Sequence, residues 1–260
     1  MNTRVRKVLL GVVATVVVLL LGVGGLMYSA FAGNAPSRNG AGPTPGVETV
    51  AMGFVSAFVL DADPGSVALV DTGADATGAR LIAALRARGL GPDAVRAIFL
   101  THGHQDHTAA VRAFPRAEVY ALAAEVPVIA GTAPMHSPMS HVRSPHPTGL
   151  RVTHTLADGE TVNVGSLAVR VFALPGHTPG SAAYLAHETL FLGDASSATV
   201  EGLVRGPVWL FSEDVMQGRA SLRALGARLL HEALPVRALA FAHSGPVVDA
   251  DVPERLARVQ

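Results

Sequence analysis

The sequence predicts a mixed α/β fold in which two β-rich halves carry helices on their outer sides, preceded by one N-terminal transmembrane helix. Three patterns support this prediction. Residues 8–31 form an apolar run without charge, strand-like segments recur through the remainder, and helical apolar spacing occurs at 76–88 and 213–233. A chain of 260 residues suits one large domain with an appendage, because most domains contain about 50–250 residues.

The first 33 residues differ from the rest in composition. Arg4, Arg6 and Lys7 precede the apolar run. A membrane-spanning helix needs about 20 apolar residues, whereas the hydrophobic region of a signal peptide has about 7–15. The length therefore favours a retained membrane anchor over residues 1–33. The small-x-small sequence Ala30-Phe31-Ala32 leaves a signal sequence as the alternative.

The charge distribution around this segment predicts its orientation. Positive residues that precede a first apolar helix stay in the cytoplasm as a rule. We therefore expect a single-pass membrane protein whose domain lies on the non-cytoplasmic side, extracytoplasmic or periplasmic. If the segment is cleaved, the domain is secreted.

A linker and the first half of the domain follow. Residues 34–48 are rich in Gly, Pro, Asn and Ser, which predicts a flexible linker before a domain over 49–260. In the first half of that domain we expect strands at 52–60, 66–70 and 97–100 and a helix at 76–88. This βαβ-like order gathers binding residues at the carboxyl ends of the strands.

The second half begins after a Pro-rich loop at 127–149, which we expect to cover the site. Ser212 is the predicted N-cap of a long helix at 213–233. The predicted strands are 151–156, 161–164, 167–174, 182–185, 189–192 and 238–242.

Bulk composition excludes several classes of function. The chain has 20 basic and 20 acidic residues, so the sequence predicts no broad basic surface and no nucleic-acid partner. It has no cysteine, which excludes disulfides and thiolate metal ligands. We expect a small-molecule substrate and the membrane as partners, and no protein partner is identifiable.

The most informative motif is residues 101–108, which directly follow a strand-like segment. It contains three histidines and one aspartate within six positions. Further candidates each follow a later strand-like segment. Imidazole and carboxylate are ligands for zinc and iron, and such sites close with ligands from elsewhere in the fold. The predicted metal ligands are His102, His104, Asp106, His107, His177, Asp194 and His243.

This order of ligands resembles the metallo-β-lactamase fold superfamily of metallohydrolases, including its glyoxalase II-like members. Leu69-Val70-Asp71-Thr72-Gly73 is similar to the first motif of that family, and the resemblance runs from about Met52 to Ser244. It implies a four-layer αββα sandwich. It also implies a centre of two Zn²⁺ ions, with iron or manganese as other possible metals.

Each ligand has an expected place in such a centre. His102, His104 and His177 would form a three-histidine site with room for water. Asp106, His107 and His243 would form the second site, and Asp194 would bridge both. Asp71 is expected to orient a ligand histidine or the loop backbone, with a purely structural turn as the alternative.

The resemblance implies a binuclear hydrolase acting on ester, thioester, lactone or similar carbonyl bonds, and the N-terminal segment makes it a membrane-anchored one. A metal-bridging hydroxide would attack the carbonyl, with Asp106 as both ligand and catalytic residue that orients the hydroxide. True β-lactamases of the family carry another residue where Asp194 stands. Glyoxalase II-like enzymes add a C-terminal helical domain, whereas only residues 244–260 follow His243 here, so we expect a smaller substrate than a glutathione thioester.

Two alternatives remain at this stage. An iron-dependent persulfide dioxygenase of the same fold would use the same ligand types, and iron content with oxygen uptake would identify it. A catalytically silent metal-binding module would bind metal but hydrolyse nothing.

Overall fold

The computed structural model describes residues 2–140, 145–249 and 251–259. The chain forms two units, Met1–Gly33 and Asn34–Gln260. The first unit is helix α1, Thr3–Phe31. Its segment Leu9–Phe31 has 23 residues and is apolar enough to cross a membrane, a property that a signal sequence shares.

The second unit alternates strands and helices. Its helices are α2 (Ala79–Ala87), α3 (Gln105–Thr108), α4 (Val126–Ile129), α5 (Val215–His231) and α6 (Val252–Ala257). The strands of its first half are β1 (Gly40–Ala41), β2 (Val47–Ala51), β3 (Ser56–Asp61), β4 (Val67–Val70), β5 (Val95–Phe99), β6 (Glu118–Leu122) and β7 (His154–Leu156). Those of its second half are β8 (Thr161–Val164), β9 (Leu167–Ala173), β10 (Ala182–Ala186), β11 (Thr189–Phe191), β12 (Ser197–Ala198), β13 (Val204–Arg205), β14 (Ala238–Ala240) and β15 (Val247–Val248).

Two main sheets correspond to the two halves of the sequence, with one exception: the strand predicted at 151–156 to begin the second half is β7, which pairs with β6 in the first sheet. Strands β1 to β7 lie in sequence order in a seven-stranded sheet, and β4 to β7 are parallel. The six-stranded sheet has the order β15-β14-β11-β10-β9-β8, with β11 and β14 parallel. Strands β12 and β13 form a separate hairpin.

Three apolar layers hold these elements together. Between the sheets, Phe58 and Phe99 of the first sheet pack in one cluster with Tyr184 and Phe191 of the second. Helix α2 covers the outer face of the first sheet through Leu81 and Leu85. Helices α5 and α6 cover the outer face of the second sheet, with buried side chains that include Leu222, Leu225, Leu229, Val252 and Leu256. The expected four-layer αββα sandwich is confirmed.

The predicted elements are largely present, with shifted ends. The strand expected at 52–60 is shorter than predicted, because residues 52–55 form a turn in which Met52 N donates to Val55 O over 2.7 Å, and β3 begins only at Ser56. Strand β2, Val47–Ala51, precedes this range and was not predicted. The predicted N-cap of α5 was wrong. Asp214 is the cap, and its Oδ1 accepts from Gln217 N over 2.8 Å.

Residues 34–48 pack against the domain, contrary to the flexible linker that their composition predicts. Ala35 N donates to Ala198 O over 2.9 Å, Gly245 N donates to Ala35 O over 2.7 Å, and β1 pairs with β2. The Gly and Pro residues allow turns, but the backbone groups between them find partners in β2 and in the loop after β14. Part of the expected covering loop, residues 141–144, lies outside the described residues.

Candidate metal centre

All predicted site residues lie at one edge of the sandwich, where parallel strands end. Asp71 follows β4, the histidine motif follows β5, Asp194 follows β11 and His243 follows β14. His177 lies in the loop between β9 and β10. The two sheets are joined at this edge by hydrogen bonds from Ala182 N to Thr101 O and from Ser56 N to Ala242 O, both 2.8 Å long. This edge therefore brings together residues that are far apart in sequence.

Two glycine conformations allow the loops to approach so closely. Gly193 has φ +52°, and a Cβ there would lie 2.5 Å from Thr101 Oγ1. Gly176 has φ +141°, and a Cβ there would lie 2.2 Å from Gly218 N at the start of α5. Any side chain at these positions would displace Asp194 or His177, because both contacts are with groups fixed by the fold.

Three imidazole nitrogens converge in the first group. His102 Nε2 lies 2.9 Å from His104 Nδ1, and His177 Nε2 lies 3.2 Å from His102 Nε2 and 3.0 Å from His104 Nδ1. His102 and His177 are both buried. The three rings offer their nitrogens to one small volume, as a three-histidine metal site requires.

The second group contains Asp106, His107 and His243. His243 Nε2 lies 3.3 Å from Asp106 Oδ2, and His107 Nε2 lies 3.8 Å from the same oxygen. Ligand atoms of the three residues lie within 4.8 Å of one another. This group can also hold a cation.

Asp194 lies between the two groups. Its Oδ2 is 3.6 Å from His177 Nε2 and 3.2 Å from His243 Nε2, while its Oδ1 is 3.3 Å from His107 Nε2. The two oxygens of one carboxylate thus face nitrogens of both groups. A bridging ligand needs this arrangement.

The hydrogen-bond partner of His177 fixes which of its nitrogens carries the proton. Its Nδ1 lies 2.9 Å from Ser212 Oγ, and the Ser212 hydroxyl donates to Val208 O over 2.7 Å. Since that hydroxyl proton is already used, Ser212 accepts the proton of Nδ1–H. Nε2 of the neutral ring then presents its lone pair to the cluster.

The same reasoning applies to His243 and His107. His243 Nδ1 lies 2.6 Å from the carbonyl oxygen of Phe54, which can only accept. His107 Nδ1 lies 2.7 Å from Asp71 Oδ2, a carboxylate oxygen. Both rings therefore carry a proton on Nδ1 and direct Nε2 to the cluster.

His102 depends on the same aspartate through one more residue. Its Nδ1 lies 3.1 Å from Thr101 Oγ1, and that hydroxyl donates to Asp71 Oδ2 over 2.7 Å. Asp71 also accepts from Thr101 N over 2.8 Å and has φ 58°, in the left-handed region. One buried carboxylate thus orients two histidines, the arrangement expected for Asp71.

Burial and the two aspartates determine the charges in the cluster. Burial, together with the neighbouring histidines, lowers the pKa of His102 well below its usual value and that of His177 to about 3. Burial also opposes charge on His243, but Asp194 and Asp106 outweigh it and raise its pKa to about 10. Burial disfavours the ionised form of Asp194, yet His243 and His107 hold its pKa well below the usual value. The first group therefore offers neutral ligands and the bridge an ionised one.

The donor set fits metal ions. Among the described residues, His107 Nε2 and Asp194 Oδ1 are buried without a hydrogen-bond partner, although they face each other over 3.3 Å. Buried polar atoms are rarely left unpaired, so two such atoms at the centre of a ligand cluster indicate a missing partner. A divalent cation would satisfy both.

Three residues at this site carry no recognisable sequence signal. They are Ser212, Phe54, whose ring also stacks on His243 with centroids 5.7 Å apart, and Glu125, which contacts Gly103 and Thr178. Ser212 and Phe54 lie 35 and 189 residues from the histidines that they contact. Their roles depend on tertiary proximity, which local sequence does not reveal.

The fold and the ligand order agree with a known family. The family model described as the metallo-beta-lactamase superfamily matches residues 50–243. The chain belongs to the metallo-beta-lactamase superfamily. The resemblance predicted from the motifs is therefore confirmed. The motif residues 71, 102–107, 177, 194 and 243 of this superfamily member all lie within the matched range.

Curated relatives match about half of the chain. A hydroxyacylglutathione hydrolase of Salmonella typhi is 33% identical over 138 residues, which is 53% of this chain and 45% of the relative. A second one, from Salmonella newport, is 32% identical over the same length. The chain spans about half the length of the curated relatives it matches.

Solved structures of the superfamily share the fold over most of the chain. A metallo-beta-lactamase family protein from Thermus thermophilus has a TM-score of 0.57 and 26% identity, covering 82% of this chain and 78% of its own. A subclass B3 metallo-beta-lactamase of Bradyrhizobium japonicum has a TM-score of 0.59 and 19% identity, covering 82% and 81%. The second likeness is one of fold alone.

Proposed function

We propose that this protein is a membrane-anchored hydrolase with a two-metal centre that cleaves ester, thioester, lactone or similar carbonyl bonds. The observation that carries the proposal is the orientation of four histidines by partners that accept a hydrogen bond from Nδ1–H, so that four Nε2 atoms face one cluster divided by the Asp194 carboxylate. Hydrolase relatives within the superfamily support the reaction class.

The residues assigned to each ion follow from the two groups. His102, His104 and His177 would hold one cation, and Asp106, His107 and His243 the other, with Asp194 shared. Zinc is the proposed metal, with iron and manganese as alternatives, because neutral imidazoles and carboxylates suit all three. When bound, the pair supplies Lewis acidity toward a carbonyl oxygen and acidifies water.

Asp106 is the proposed catalytic side chain. A quarter of it is exposed, at 26%, whereas Asp194 is only 12% exposed, so Asp106 is the more accessible of the two to water. Burial opposes its ionisation, but the hydrogen bond from His243 and the charge of His107 lower its pKa below the usual value. The ionised carboxylate can therefore accept a hydrogen bond from an attacking water and hold it in orientation at neutral pH.

The membrane location is part of the proposal. Residues 1–33 would anchor the chain, and the catalytic domain over 49–260 would lie on the non-cytoplasmic side. The length of the apolar helix segment Leu9–Phe31 and the basic residues before it support this topology.

The test is an activity panel of small esters, thioesters, lactones, β-lactams and phosphodiesters. The purified chain, replete with zinc, should hydrolyse at least one carbonyl substrate, and chelation should abolish turnover until zinc is restored. Asp106→Asn should lower kcat by at least about 100-fold, the usual contribution of a positioned acid or base. Asp93→Asn at the exposed Arg116 ion pair is the matched control.

Two results would contradict the proposal. Full turnover after metal removal would exclude metal-dependent hydrolysis. Iron content with oxygen uptake on a persulfide and no hydrolysis would indicate the dioxygenase instead.

A further inference from the structure

Glu125 is a fully buried carboxylate beside the metal centre. It ends a short 3₁₀ helix, Ala123–Glu125, that follows β6. Its exposed fraction is 0%. Buried carboxylates are costly unless their oxygens are hydrogen-bonded, so the partners of this side chain show what it does.

Its two oxygens bind two different loops. Oε1 accepts from Gly103 N over 2.7 Å, and Gly103 lies between His102 and His104. Oε2 accepts from Thr178 Oγ1 over 2.8 Å and from Gly180 N over 2.9 Å, in the loop that carries His177. One side chain thus joins the loop from the first sheet to the loop from the second.

The backbone of both loops packs directly on the segment around Glu125. A Cβ at Gly180 would lie 2.2 Å from Glu125 N, and a Cβ at Gly103 would lie 2.8 Å from Val128 Cγ1. Both glycines therefore let their loops reach the same short segment. The spacing between the loops depends on this contact and on the three hydrogen bonds that span it.

We propose that Glu125 is a positioning residue that holds His102 and His104 in register with His177 and so determines the metal affinity of the three-histidine site. This inference rests on the metal centre of the proposed function. Glu125 contacts none of the proposed ligand side chains in the hydrogen bonds described here and acts through the backbone beside them. Outer partners of metal ligands typically contribute about 10- to 100-fold to metal affinity.

Substitutions can test the hydrogen bonds that the Glu125 carboxylate makes to the two loops. Glu125→Gln keeps the size of the side chain but turns one acceptor oxygen into a donor, which opposes a backbone N–H of either Gly103 or Gly180. Thr178→Val removes one donor, whereas Thr178→Ser keeps it. Glu160→Gln is the matched control, because Glu160 Oε2 also accepts a backbone N–H, that of Ala157, over 2.9 Å at an exposed turn.

The experiment is a cobalt(II) titration of the full chain, stripped of metal and kept in detergent, followed by visible absorbance. Glu125→Gln should lower the affinity for one of the two cobalt ions by about 10- to 100-fold and change the absorption spectrum of that ion alone. Thr178→Val should lower the affinity for the same cobalt ion by a smaller factor. Thr178→Ser and Glu160→Gln should match the wild type.

Several results would overturn the inference. One is that Glu125→Gln and Thr178→Val both bind the two cobalt ions with the affinity and the spectrum of the wild type. Another is equal weakening of both ions, which a general structural role would produce. If Glu125→Gln does not fold, the Thr178 pair decides.

The titration needs no substrate, so it separates this inference from the proposed activity. A chain that binds two cobalt ions, loses one in Glu125→Gln and hydrolyses nothing would support the positioning role and contradict the hydrolase. A wild-type chain that takes up no cobalt would contradict both.

Discussion

At the scale of single residues, the position of the proton on each histidine ring determines whether the other ring nitrogen can bind a cation. A proton on Nδ1 leaves Nε2 to face the cluster. Ser212, the Phe54 carbonyl and Asp71 each accept a hydrogen bond from Nδ1–H of a histidine whose Nε2 faces the cluster. Such partners fix the tautomer and increase the basicity of the ligand nitrogen. The site is therefore organised for cations by residues that would never touch them.

Asp71→Asn tests this organisation. Asp71 accepts from Thr101 N, Thr101 Oγ1 and His107 Nδ1, so replacing one oxygen by an amide nitrogen leaves at least one donor without an acceptor. Zinc affinity should fall by about 10- to 100-fold. Competition with a chelating dye measures the change, and the exposed Asp93→Asn is the control. Unchanged zinc affinity would mean that Asp71 serves the turn after β4 and no more.

Burial of Glu125 predicts a pH dependence of the free energy of unfolding. Burial raises its pKa from 4.5 to about 7, against the opposing effect of its three hydrogen bonds. Between these values the folded metal-free chain binds more protons than the unfolded chain, so this residue makes the free energy of unfolding fall as pH rises. The slope is at most about 1.4 kcal/mol per pH unit.

Urea unfolding in chelator from pH 4.5 to 7.5 measures this slope. Glu125→Gln lacks the titrating group, so the stability of the wild type relative to the variant should decline through that window and level off above it. Parallel curves for the two proteins would show that the carboxyl does not titrate there.

The sequence predicts the ligand residues and Asp71, but not the other residues that orient the ligands. Histidine and aspartate at this spacing are characteristic of metal sites, so His102 to His107 could be identified without a structure. Ser212 and Glu125 are ordinary residue types at the ends of short segments. Their importance arises from contacts 35 and 22 residues away, with His177 and Gly103.

At the scale of elements, the segment that leads into the domain supports the loop that carries His243. Asn34 Nδ2 donates to His243 O over 3.1 Å, and the Ala35 carbonyl accepts from Gly245 N over 2.7 Å. A Cβ at Gly245 would lie 2.7 Å from Pro36 O, so the two segments are in close contact. This segment is therefore structural, although its composition predicts a tether.

Two fragments test this support. A fragment that starts at residue 34 should fold and bind metal like the full chain, whereas one that starts at 37 loses three hydrogen bonds, of about 1 kcal/mol each. The shorter fragment should be less stable by about 3 kcal/mol in urea unfolding. Asn34→Ala should lower the affinity for the ion held by His243, and the exposed Asn163→Ala is the control. Equal stability of the two fragments would contradict the structural role.

Element prediction succeeded where periodicity or strong apolar runs were present. Helices α2 and α5 and most long strands lie where their patterns predict them. Strands β1, β12, β13 and β15 have two residues each and were not predicted. Two residues carry no periodic signal, because such strands form by pairing with partners distant in sequence.

At the scale of the whole molecule, the chain combines an apolar helix with a metal-binding sandwich. The full chain should sediment with membranes and resist extraction by high salt, whereas a fragment that starts at residue 34 should remain in the supernatant, because about 20 apolar residues suffice to span a bilayer. Fractionation with mass spectrometry of the N-terminus distinguishes the alternatives. A secreted product that lacks residues 1–32 would identify a cleaved signal sequence.

The most direct measurement is the metal content of the purified, zinc-replete chain after dialysis, by elemental analysis. A two-metal centre should give about two zinc ions per chain, and about one in the double variant His102→Ala/His177→Ala, which removes two of the nitrogens that converge on the first site. His154→Ala, at an exposed ion pair with Glu118, should retain two. One ion or fewer in the wild type, or two ions in the double variant, would contradict the two-metal centre.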